Sequence, residues 1–440
     1  MATEQPSLRR LSAKETRRIE RRLSTTRRRR RSHLELKEVN PFQTDEAMDA
    51  QEWVLFVTGL VVLAPFRILI FLVTIPVATG LVLLSVIGCD VNEPLPASRA
   101  RIQAHIVYAT ARILLSCFGV YTVETVGKLA PASKARVAVV GPHSTPFDAL
   151  LAAAFMDAPS FVAKADLTET FVGPVLKAMQ TILVDRENIS SRHLAAEAIL
   201  QRADRTGTWR RRLAVYPEGT CTNRTSLIQF RRGAFEPLAP VQPAVLQWNV
   251  GAFDPAWTVG SPRRGLIVLR CLARLQLHVT VQFLPVMEPL KNEDAAAFCD
   301  RVRSAMADAL GVPTTEYTYP DLFLAKIAAK RKVKPAIVLP WPFVDVQRAF
   351  PDVPGIFEIT RALLLRYLAA PGVQANNGRM DHSAFKAVAV KAARDAGIEG
   401  EPPTWDQVAR ETHTDKTVSF TDFLQAHLEC LVSNPTSSSS

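Results

Sequence analysis

The longest apolar stretch of the chain lies near its N-terminus, between Trp53 and Gly88, where only two prolines and one arginine interrupt it. The part that follows the arginine, Ile68 to Gly88, contains no charged residue and has 21 residues. As a helix these residues would extend about 31 Å, which matches the hydrocarbon thickness of a bilayer. The stretch has no polar face, whereas a buried helix of a soluble protein normally has one. This pattern predicts a membrane-embedded segment.

A break divides the apolar stretch into two parts. Trp53 to Ala64 is too short to cross a bilayer alone, and Pro65-Phe66-Arg67 suits a bend. We therefore predict a re-entrant hairpin that returns the chain to the side on which it started. A second, weaker apolar stretch, Ile106–Val120, carries Arg112 and is predicted to form an amphipathic helix on the bilayer or on the folded body.

From Tyr121 onward the pattern becomes that of an α/β domain, because short β-branched runs alternate with helical periodicity. Most of the predicted strands end in a polar loop, which is where an open α/β sheet builds its site. The predicted strands are Tyr121–Val126, Arg136–Val140, Ile182–Val184, Leu213–Tyr216, Val241–Gln247 and Val279–Leu284, and the clearest helical patterns are Ala195–Ala203 and Glu293–Ala309.

Charge is concentrated in the N-terminal tail. Of the net charge of +11, residues 1–34 contribute most, with 12 Lys/Arg against three Glu. Such a tail can bind nucleic acid or anionic lipid, and the apolar segment that follows favours lipid. No nucleic-acid partner is expected, because no aromatic residues alternate with the arginines. The six cysteines show no metal-ligand spacing, which predicts reduced thiols in a cytosol-facing protein.

The first candidate chemistry follows the strand Arg136–Val140. Thr145 suits a helix N-cap with Pro146 at the first helical position, which leaves His143 in the loop and Asp148 in the first turn. A histidine that a carboxylate holds in one tautomer can take a proton from an alcohol. Alternatively, Asp148 completes a capping box with Thr145. This fragment alone leaves both interpretations open.

Two further strand ends carry polar residues. Ile182–Val184 leads to Arg186, and Leu213–Tyr216 leads to the turn Glu218-Gly219-Thr220, with Asn223 and Arg224 after it. Each of these ends, taken alone, is typical of a solvated loop or an ordinary turn. Three such ends in this order and spacing are improbable by chance, and together they favour an active site.

These residues resemble, in order, the four motifs of the glycerolipid, lysophosphatidate-type acyltransferase superfamily. The resemblance covers roughly Trp53 to Pro320, and within it the run Glu218–Phe235 is similar to the lysophosphatidylcholine acyltransferase branch. The matching segments are His143-x4-Asp148, Arg186, Glu218-Gly219-Thr220 and Val241–Ala244, with Phe283–Val286 and Ala309–Val312 as further matches to the branch. The second motif departs from the commonest pattern, because Thr181 and Val184 stand where glycine and phenylalanine are usual.

The resemblance implies transfer of a fatty acyl group from acyl-CoA to the free hydroxyl of a lysophospholipid, most simply lysophosphatidylcholine. His143 would deprotonate the hydroxyl and Asp148 would orient the imidazole. Arg186 and the turn Glu218-Gly219-Thr220 would hold the substrate phosphate, with Asn223 and Arg224 as further candidate substrate-binding residues. Acyl-CoA would be a co-substrate, and no bound cofactor is expected.

Two alternatives remain open at this point. One is a lysophosphatidate or glycerol-3-phosphate acyltransferase, which performs the same chemistry on a smaller head group. The other is a non-catalytic scaffold on a lipid surface, against which the intact pair of His143 and Asp148 argues. The resemblance implies a location in the endoplasmic reticulum membrane, with the Golgi or lipid droplets as alternatives, and a catalytic domain that faces the cytosol.

The C-terminal region can be aligned with two calcium-binding EF-hand loops whose starts are 38 residues apart. With Gly378 at loop position 6, Met380 falls at the apolar position 8. With Val418 at position 8 of the second loop, the candidate ligands are Glu411, Asp415 and Asp422. The first loop lacks most ligand oxygens, and Lys416 replaces the usual glycine of the second. We predict the helical architecture without calcium.

The predicted fold class is an α/β acyltransferase domain, a mixed sheet flanked by helices, with an N-terminal membrane-embedded helical hairpin and a C-terminal all-α, degenerate EF-hand-like unit. The predicted division is a disordered basic tail (1–50), a membrane anchor (51–120), a catalytic domain (121–330), a linker (331–342), an EF-hand-like domain (343–432) and a disordered tail (433–440).

Overall fold

The computed structural model describes residues 40–44, 48–185, 188–204, 206–249, 253–259, 261, 263–333, 342–375, 378–396, 402–409 and 417–433. The chain divides into two compact units. The first, Gln43–Thr315, contains the apolar helices and the sheet, and the second contains the residues up to Phe42 and from Glu316 onward. The structural division thus falls before the predicted linker at 331–342, and the functional domain boundaries stay a prediction.

The first unit is a mixed α/β sheet flanked by helices, which confirms that part of the expected fold. Its strands are β1 (Val123–Val126), β2 (Val137–Gly141), β3 (Ser160–Lys164), β4 (Ile182–Val184), β5 (Leu213–Val215), β6 (Val241–Asn249) and β7 (His278–Phe283). Its helices are α1 (Ala50–Val62), α2 (Ala64–Leu84), α3 (Ala97–Cys117), α4 (Phe147–Phe155), α5 (Gly173–Ala178), α6 (Ile189–Ala203), α7 (Arg264–Ala273) and α8 (Ala295–Leu310).

The seven strands lie in the order β1-β7-β6-β2-β5-β3-β4. The pairs are parallel except for β6 with β7, which is antiparallel. Strand β2 lies between β5 and β6, and all five of its residues are buried, as expected for a continuous apolar run inside a parallel sheet. Because parallel strands end at the same edge, the segments that follow β2, β3, β4 and β5 meet there.

The predicted strands all occur within two residues of their expected bounds, whereas β3 was not predicted. Its five residues contain only three apolar ones, so its β pattern is too short to recognise. Backbone pairing with β4 on one side and β5 on the other stabilises β3, although its sequence alone does not indicate a strand.

Among the described helices, α2 alone has the length and hydropathy of a membrane-crossing helix. It begins at Ala64, so Leu63 alone separates it from α1. This junction is close to the predicted bend. Helix α1 approaches α7 closely, because a Cβ on Gly59 would lie 1.8 Å from the carbonyl oxygen of Ala273. Helix α3 packs against both α2 and α4, which places it between the apolar helices and the sheet.

Both ends of α2 are hydrogen-bonded to the sheet-containing unit. Near its start, the buried Arg67 donates to the carbonyl oxygens of Leu272 at 2.8 Å and Leu275 at 3.3 Å, at the end of α7. Just after its end, Ser85 accepts from Gln103 at 3.0 Å, and Gln103 also donates to the Ala178 carbonyl at 3.1 Å. Helix α2 therefore lies along the unit rather than projecting from it.

The second unit is helical apart from one pair of two-residue strands. Its elements are α9 (Tyr319–Lys330), α10 (Phe343–Ala349), α11 (Ile356–Ala369), β8 (Met380–Asp381), α12 (His382–Asp395), α13 (Trp405–Val408), β9 (Thr417–Val418) and α14 (Phe420–Ser433). Strands β8 and β9 pair antiparallel, with Met380 opposite Val418. The buried Tyr367 hydroxyl lies 2.9 Å from the Gly378 carbonyl and 2.8 Å from that of Val418, so it links the two loops.

We expect the second unit to lose stability as the pH falls below about 6.5, because His427 is fully buried. Burial lowers the pKa of His427 to about 4, although its hydrogen bond with the Phe423 carbonyl acts in the opposite direction. The unfolded chain therefore binds the extra proton first, and up to about 3 kcal/mol is lost between pH 6.5 and 4.

Hydrogen–deuterium exchange of α14 in the full-length protein measures this loss. A His427→Leu variant removes the titrating group, and its protection factors, which correct for the pH dependence of intrinsic exchange, should be equal at pH 7 and pH 5. Equal protection of the unsubstituted protein at both pH values would contradict the prediction.

Candidate active site

The loop between β2 and α4 holds an imidazole and a carboxylate in contact. The Nδ1 of His143 lies 3.0 Å from Oδ2 of Asp148, which is completely buried, whereas the imidazole keeps 23% of its surface exposed. A buried carboxylate accepts hydrogen bonds, so Nδ1 carries the proton and Nε2 is free to accept one. The two residues predicted as a pair are thus in contact.

Asp148 also organises the loop around the histidine. Its Oδ2 accepts from the backbone N–H groups of Ser144 at 2.7 Å and Thr145 at 2.9 Å, and its Oδ1 accepts from Nε1 of Trp248 at 2.8 Å. Helix α4 begins at Phe147 with Pro146 at the N-cap, so Thr145 is not the cap residue that the sequence predicted. The buried Thr145 hydroxyl has no hydrogen-bond partner among the described residues. Only one half of the capping box is present.

Two side chains from the loop after β5 also contact His143. The ring of Tyr216 packs on the imidazole with centroids 4.5 Å apart, and its hydroxyl donates to the Asp148 carbonyl at 2.7 Å. The Cys221 thiol hydrogen-bonds the imidazole. Because Asp148 engages Nδ1, the thiol occupies the region where a substrate hydroxyl would approach Nε2.

The surroundings of His143 shift its affinity for protons. Burial lowers the pKa of His143, but Cys221 and the Asp148 carboxylate raise it more, so that it lies well above its usual value of 6.5. A raised pKa makes the imidazole a stronger base once it is deprotonated.

Glu218, one of the predicted phosphate-binding residues, is 1% exposed. Its carboxylate accepts from the backbone N–H of His143 at 2.6 Å and from that of Ile228 at 3.4 Å. Burial raises the pKa of Glu218 to about 7, although these two hydrogen bonds act to lower it. The described contacts make Glu218 the link between the loop after β5 and the loop that carries His143.

The turn that follows Glu218 is half-buried. Gly219 has φ +65°, a conformation that glycine adopts without strain, and its N–H donates to the Tyr216 carbonyl at 3.0 Å. A Cβ at this position would lie 2.7 Å from Nε of Arg231. The exposed Arg231 side chain therefore lies across the turn, beside the half-buried Thr220.

The other two candidate substrate-binding residues stabilise the same loop. Asn223 donates to the Gln43 carbonyl at 2.7 Å and accepts from the Thr225 hydroxyl at 2.6 Å. Arg224 forms an ion pair with Asp254 at 2.5 Å. The hydrogen bond to Gln43 and the ion pair with Asp254 hold the loop to neighbouring segments. A direct role of Asn223 and Arg224 in substrate binding stays a prediction.

Several predicted residues lie outside the described part of the chain. Arg186 is one, although β4 before it ends at the same sheet edge as β2. In the second unit, Glu411 and Asp415 are also outside, whereas Asp422 accepts from the Ser419 hydroxyl at 2.5 Å. Among the described residues, no group of three acidic, histidine or cysteine side chains is arranged to hold a metal ion.

The sequence interpretation did not identify Trp248, Tyr216 and Arg231. Trp248 follows the predicted strand Val241–Gln247, and a polar aromatic group at the end of a strand beside β2 was the available signal. Tyr216 was assigned only to a strand. Arg231 lies 12 residues beyond Gly219 in sequence, and no local pattern connects the two.

Comparisons with known proteins agree with this geometry. The sequence profile of the acyltransferase family matches residues 120–247, which include β1, β2, β5 and the pair of His143 and Asp148. The chain is 34% identical to lysophosphatidylcholine acyltransferase 2 of Mus musculus over 64% of its length and 52% of that protein. It is 33% identical to lysophosphatidylcholine acyltransferase 1 of Homo sapiens, over 65% of its length and 54% of that protein.

A lysophosphatidylcholine acyltransferase of Drosophila melanogaster is 34% identical over 60% of this chain and 49% of its own length. The chain thus spans about half the length of the curated relatives it matches. Among solved structures, the 1-acyl-sn-glycerophosphate acyltransferase PlsC of Thermotoga maritima matches with a TM-score of 0.40 and 14% identity, over 56% of this chain and 94% of that one.

Proposed function

We propose that this chain, whose residues 120–247 belong to the acyltransferase family, transfers a fatty acyl group from acyl-CoA to the free hydroxyl of a lysophospholipid. The observation that carries the proposal is the contact between His143 and the buried Asp148 at the carboxyl end of β2. The likeness to lysophosphatidylcholine acyltransferases supports lysophosphatidylcholine as the acceptor and phosphatidylcholine as the product.

The proposed reaction is a single transfer. Nε2 of His143 takes the proton of the acceptor hydroxyl while the hydroxyl oxygen attacks the thioester carbonyl of acyl-CoA. The tetrahedral intermediate collapses, the carbon–sulfur bond breaks, and the imidazolium returns the proton to the departing thiolate. Asp148 keeps the imidazole in the required tautomer and stabilises its positive charge. Cys221 forms no acyl intermediate in this scheme.

The phosphate of the lysolipid is proposed to bind at the turn around Gly219. Backbone N–H groups of a glycine turn and a guanidinium both suit a phosphate. Arg231 already lies across this turn, and Arg186 is proposed as a second cation. Glu218 contributes indirectly in this proposal, because its carboxylate holds the backbone of His143.

An Arg231→Ala variant should raise the KM for the lysolipid about tenfold or more and change kcat less, since a charge-assisted hydrogen bond is worth about 1.5–3 kcal/mol. Arg231→Lys should recover part of the loss. The neighbouring exposed Arg232 provides the matched control, and Arg232→Ala should leave KM within about twofold. Equal effects at both positions would remove Arg231 from the phosphate site.

The acid limb of the activity profile should lie above pH 6.5, because acyl transfer needs neutral His143 and the pKa of this imidazole is raised. As the pH falls below that pKa, kcat/KM should decrease about tenfold per pH unit. A profile of kcat/KM measured from pH 5.5 to 9 in detergent micelles tests this. An acid limb centred below pH 6.5 would contradict it.

A panel of acceptor substrates tests which head group the protein prefers. Membranes containing the protein are supplied with one acyl-CoA and, separately, lysophosphatidylcholine, lysophosphatidylethanolamine, lysophosphatidate and glycerol-3-phosphate. The proposal expects the highest kcat/KM with lysophosphatidylcholine. If lysophosphatidate were the best acceptor and lysophosphatidylcholine the poorest, the assignment to this branch would fail while acyl transfer itself remained.

The apolar helices are proposed to form a hairpin embedded from one side of the membrane. The contacts that support this are those at the two ends of α2, through Arg67 and Gln103, which keep both ends on the folded unit. The proposed location is the endoplasmic reticulum membrane, with the N-terminus and His143 in the cytosol. A protease added outside sealed vesicles should cleave the N-terminus and the region of His143 together or leave both intact. Cleavage of only one of the two would refute the hairpin.

The second unit is proposed to be a degenerate EF-hand pair. Met380 and Val418 were aligned at position 8 of the two loops, and they pair in a short antiparallel sheet as that position does in paired loops. The linking hydroxyl of Tyr367 supplies a cross-loop contact without a metal. Isothermal titration with calcium should therefore show no binding below millimolar concentrations, and micromolar affinity would contradict the proposal.

A further inference from the structure

The connection between β3 and α5 carries two exposed apolar side chains. In this corner segment, residues 165–172, Phe171 is 75% exposed and Leu167 is 39% exposed. Elsewhere on the sheet-containing unit, exposed large apolar residues concentrate on α1 and α2. Single exposed apolar side chains are ordinary on a protein surface, so the place of these two in the fold decides what they contact.

The corner segment forms several hydrogen bonds within itself. The Leu167 carbonyl accepts from the Thr170 hydroxyl at 2.6 Å and from the Thr170 N–H at 3.2 Å, and the Thr168 hydroxyl donates to the Ala165 carbonyl at 2.8 Å. Gly173 packs against Thr168 so closely that a Cβ there would lie 2.2 Å from its carbonyl oxygen. Asp166 and Glu169 in the same segment are exposed, so an apolar layer could receive only the two apolar side chains, with both carboxylates left at its polar boundary.

The corner segment is next to the surface proposed to face the membrane. Helix α5, which follows it directly, packs against α2. The corner also lies at the sheet edge of the active site, because it follows β3, which is parallel to β5 and lies in the same sheet as β2. The loop that carries His143 follows β2 at that edge.

We propose that Leu167 and Phe171 insert into the lipid bilayer, as a second membrane contact that turns the active-site edge toward the lipid surface. The purpose of this contact rests on the proposed function, since lysolipid and acyl-CoA both partition into the bilayer. The position of the corner segment in the fold does not depend on catalysis. The occupant is lipid because the corner is continuous, through α5, with the apolar surface of α2.

Leu290 provides a matched control on the same unit. It is 61% exposed and lies at the opposite edge of the sheet, since nearby Met287 pairs with Val241, the first residue of β6. Replacement of Leu290 should not alter lipid contact. The control therefore separates insertion of the corner segment from the general stickiness of an exposed apolar side chain.

The first arm of the test is photocrosslinking, which needs no activity. The full-length protein, with p-benzoylphenylalanine at position 171 or at position 290, is reconstituted into vesicles of radiolabelled phosphatidylcholine and irradiated. We expect a lipid adduct from position 171 that is at least about tenfold more abundant than from position 290. Equal labelling, or a crosslink from position 171 to a second copy of the chain, would overturn the proposal.

The second arm measures function. A Leu167→Asp and Phe171→Asp double variant should raise the KM for acceptor presented in vesicles about tenfold relative to Leu290→Asp. It should leave the rate on a short-chain, monomeric lysolipid unchanged. Loss of both rates would indicate a structural role for the corner and count against insertion. A lipid adduct from position 171 in a protein without acyl transfer would refute the proposed function but leave the membrane contact standing.

Discussion

Replacing His143 by alanine should reduce kcat for acyl transfer by about 10³-fold. The buried carboxylate of Asp148 holds the imidazole through Nδ1 and leaves Nε2, beside the Cys221 thiol, to accept the proton. Without it, the acceptor hydroxyl must lose its proton to water. The KM for the lysolipid should change little, because the proposed phosphate site lies at the turn of Gly219 and Arg231.

The comparison that makes this result decisive is Cys221→Ser. The thiol contacts the imidazole, so an acyl-enzyme route through Cys221 is the principal competing explanation for a loss of activity at His143. Serine keeps a hydrogen-bonding group at the same place, and a single transfer should then proceed within about tenfold of the original rate. A stable acyl adduct on Cys221, seen by mass spectrometry after a single turnover, would contradict the single-transfer scheme. So would undiminished activity in His143→Ala.

The strands and the central pair of the site could be predicted because their signals are local. Strand β2 is a run of buried β-branched and small residues that ends two residues before His143, and Asp148 lies in the first turn of α4. Sheet topology then decided which strand ends meet. Alternation of short strands and helices predicted an open α/β sheet whose site lies at the strand ends, so the loops after β2 and β5 could be expected to contribute to it.

The remaining parts of the site depend on contacts between distant positions. Trp248 reaches Asp148 across 100 residues of sequence, and Glu218 reaches the backbone of His143 across 75. The resemblance grouped Glu218 with the residues that hold the substrate phosphate, whereas its described partners are backbone N–H groups. Arg67 shows the same limitation: in the sequence it only interrupts an apolar run, whereas in the fold it binds carbonyls at the end of α7.

Asp148→Asn should lower kcat by about 10²–10⁴-fold and reduce the free energy of unfolding by about 1–3 kcal/mol, for two separable reasons. The carboxylate accepts four hydrogen bonds, of which three reach Oδ2 and the one from Trp248 reaches Oδ1. An asparagine that places its oxygen at the Oδ2 position must direct its NH₂ group at the indole N–H of Trp248. Two buried donors then face each other, which destabilises the fold.

A Trp248→Phe substitution in the Asp148→Asn background removes the opposing N–H and should recover most of the lost stability in thermal unfolding. It cannot restore the charge that stabilises the imidazolium, so kcat should stay low. The same charge raises the pKa of His143, and the acid limb of kcat/KM in both variants should therefore move to lower pH. Recovery of kcat together with stability would show that Asp148 acts only as a structural acceptor. Recovery of stability alone would establish that its charge assists the histidine.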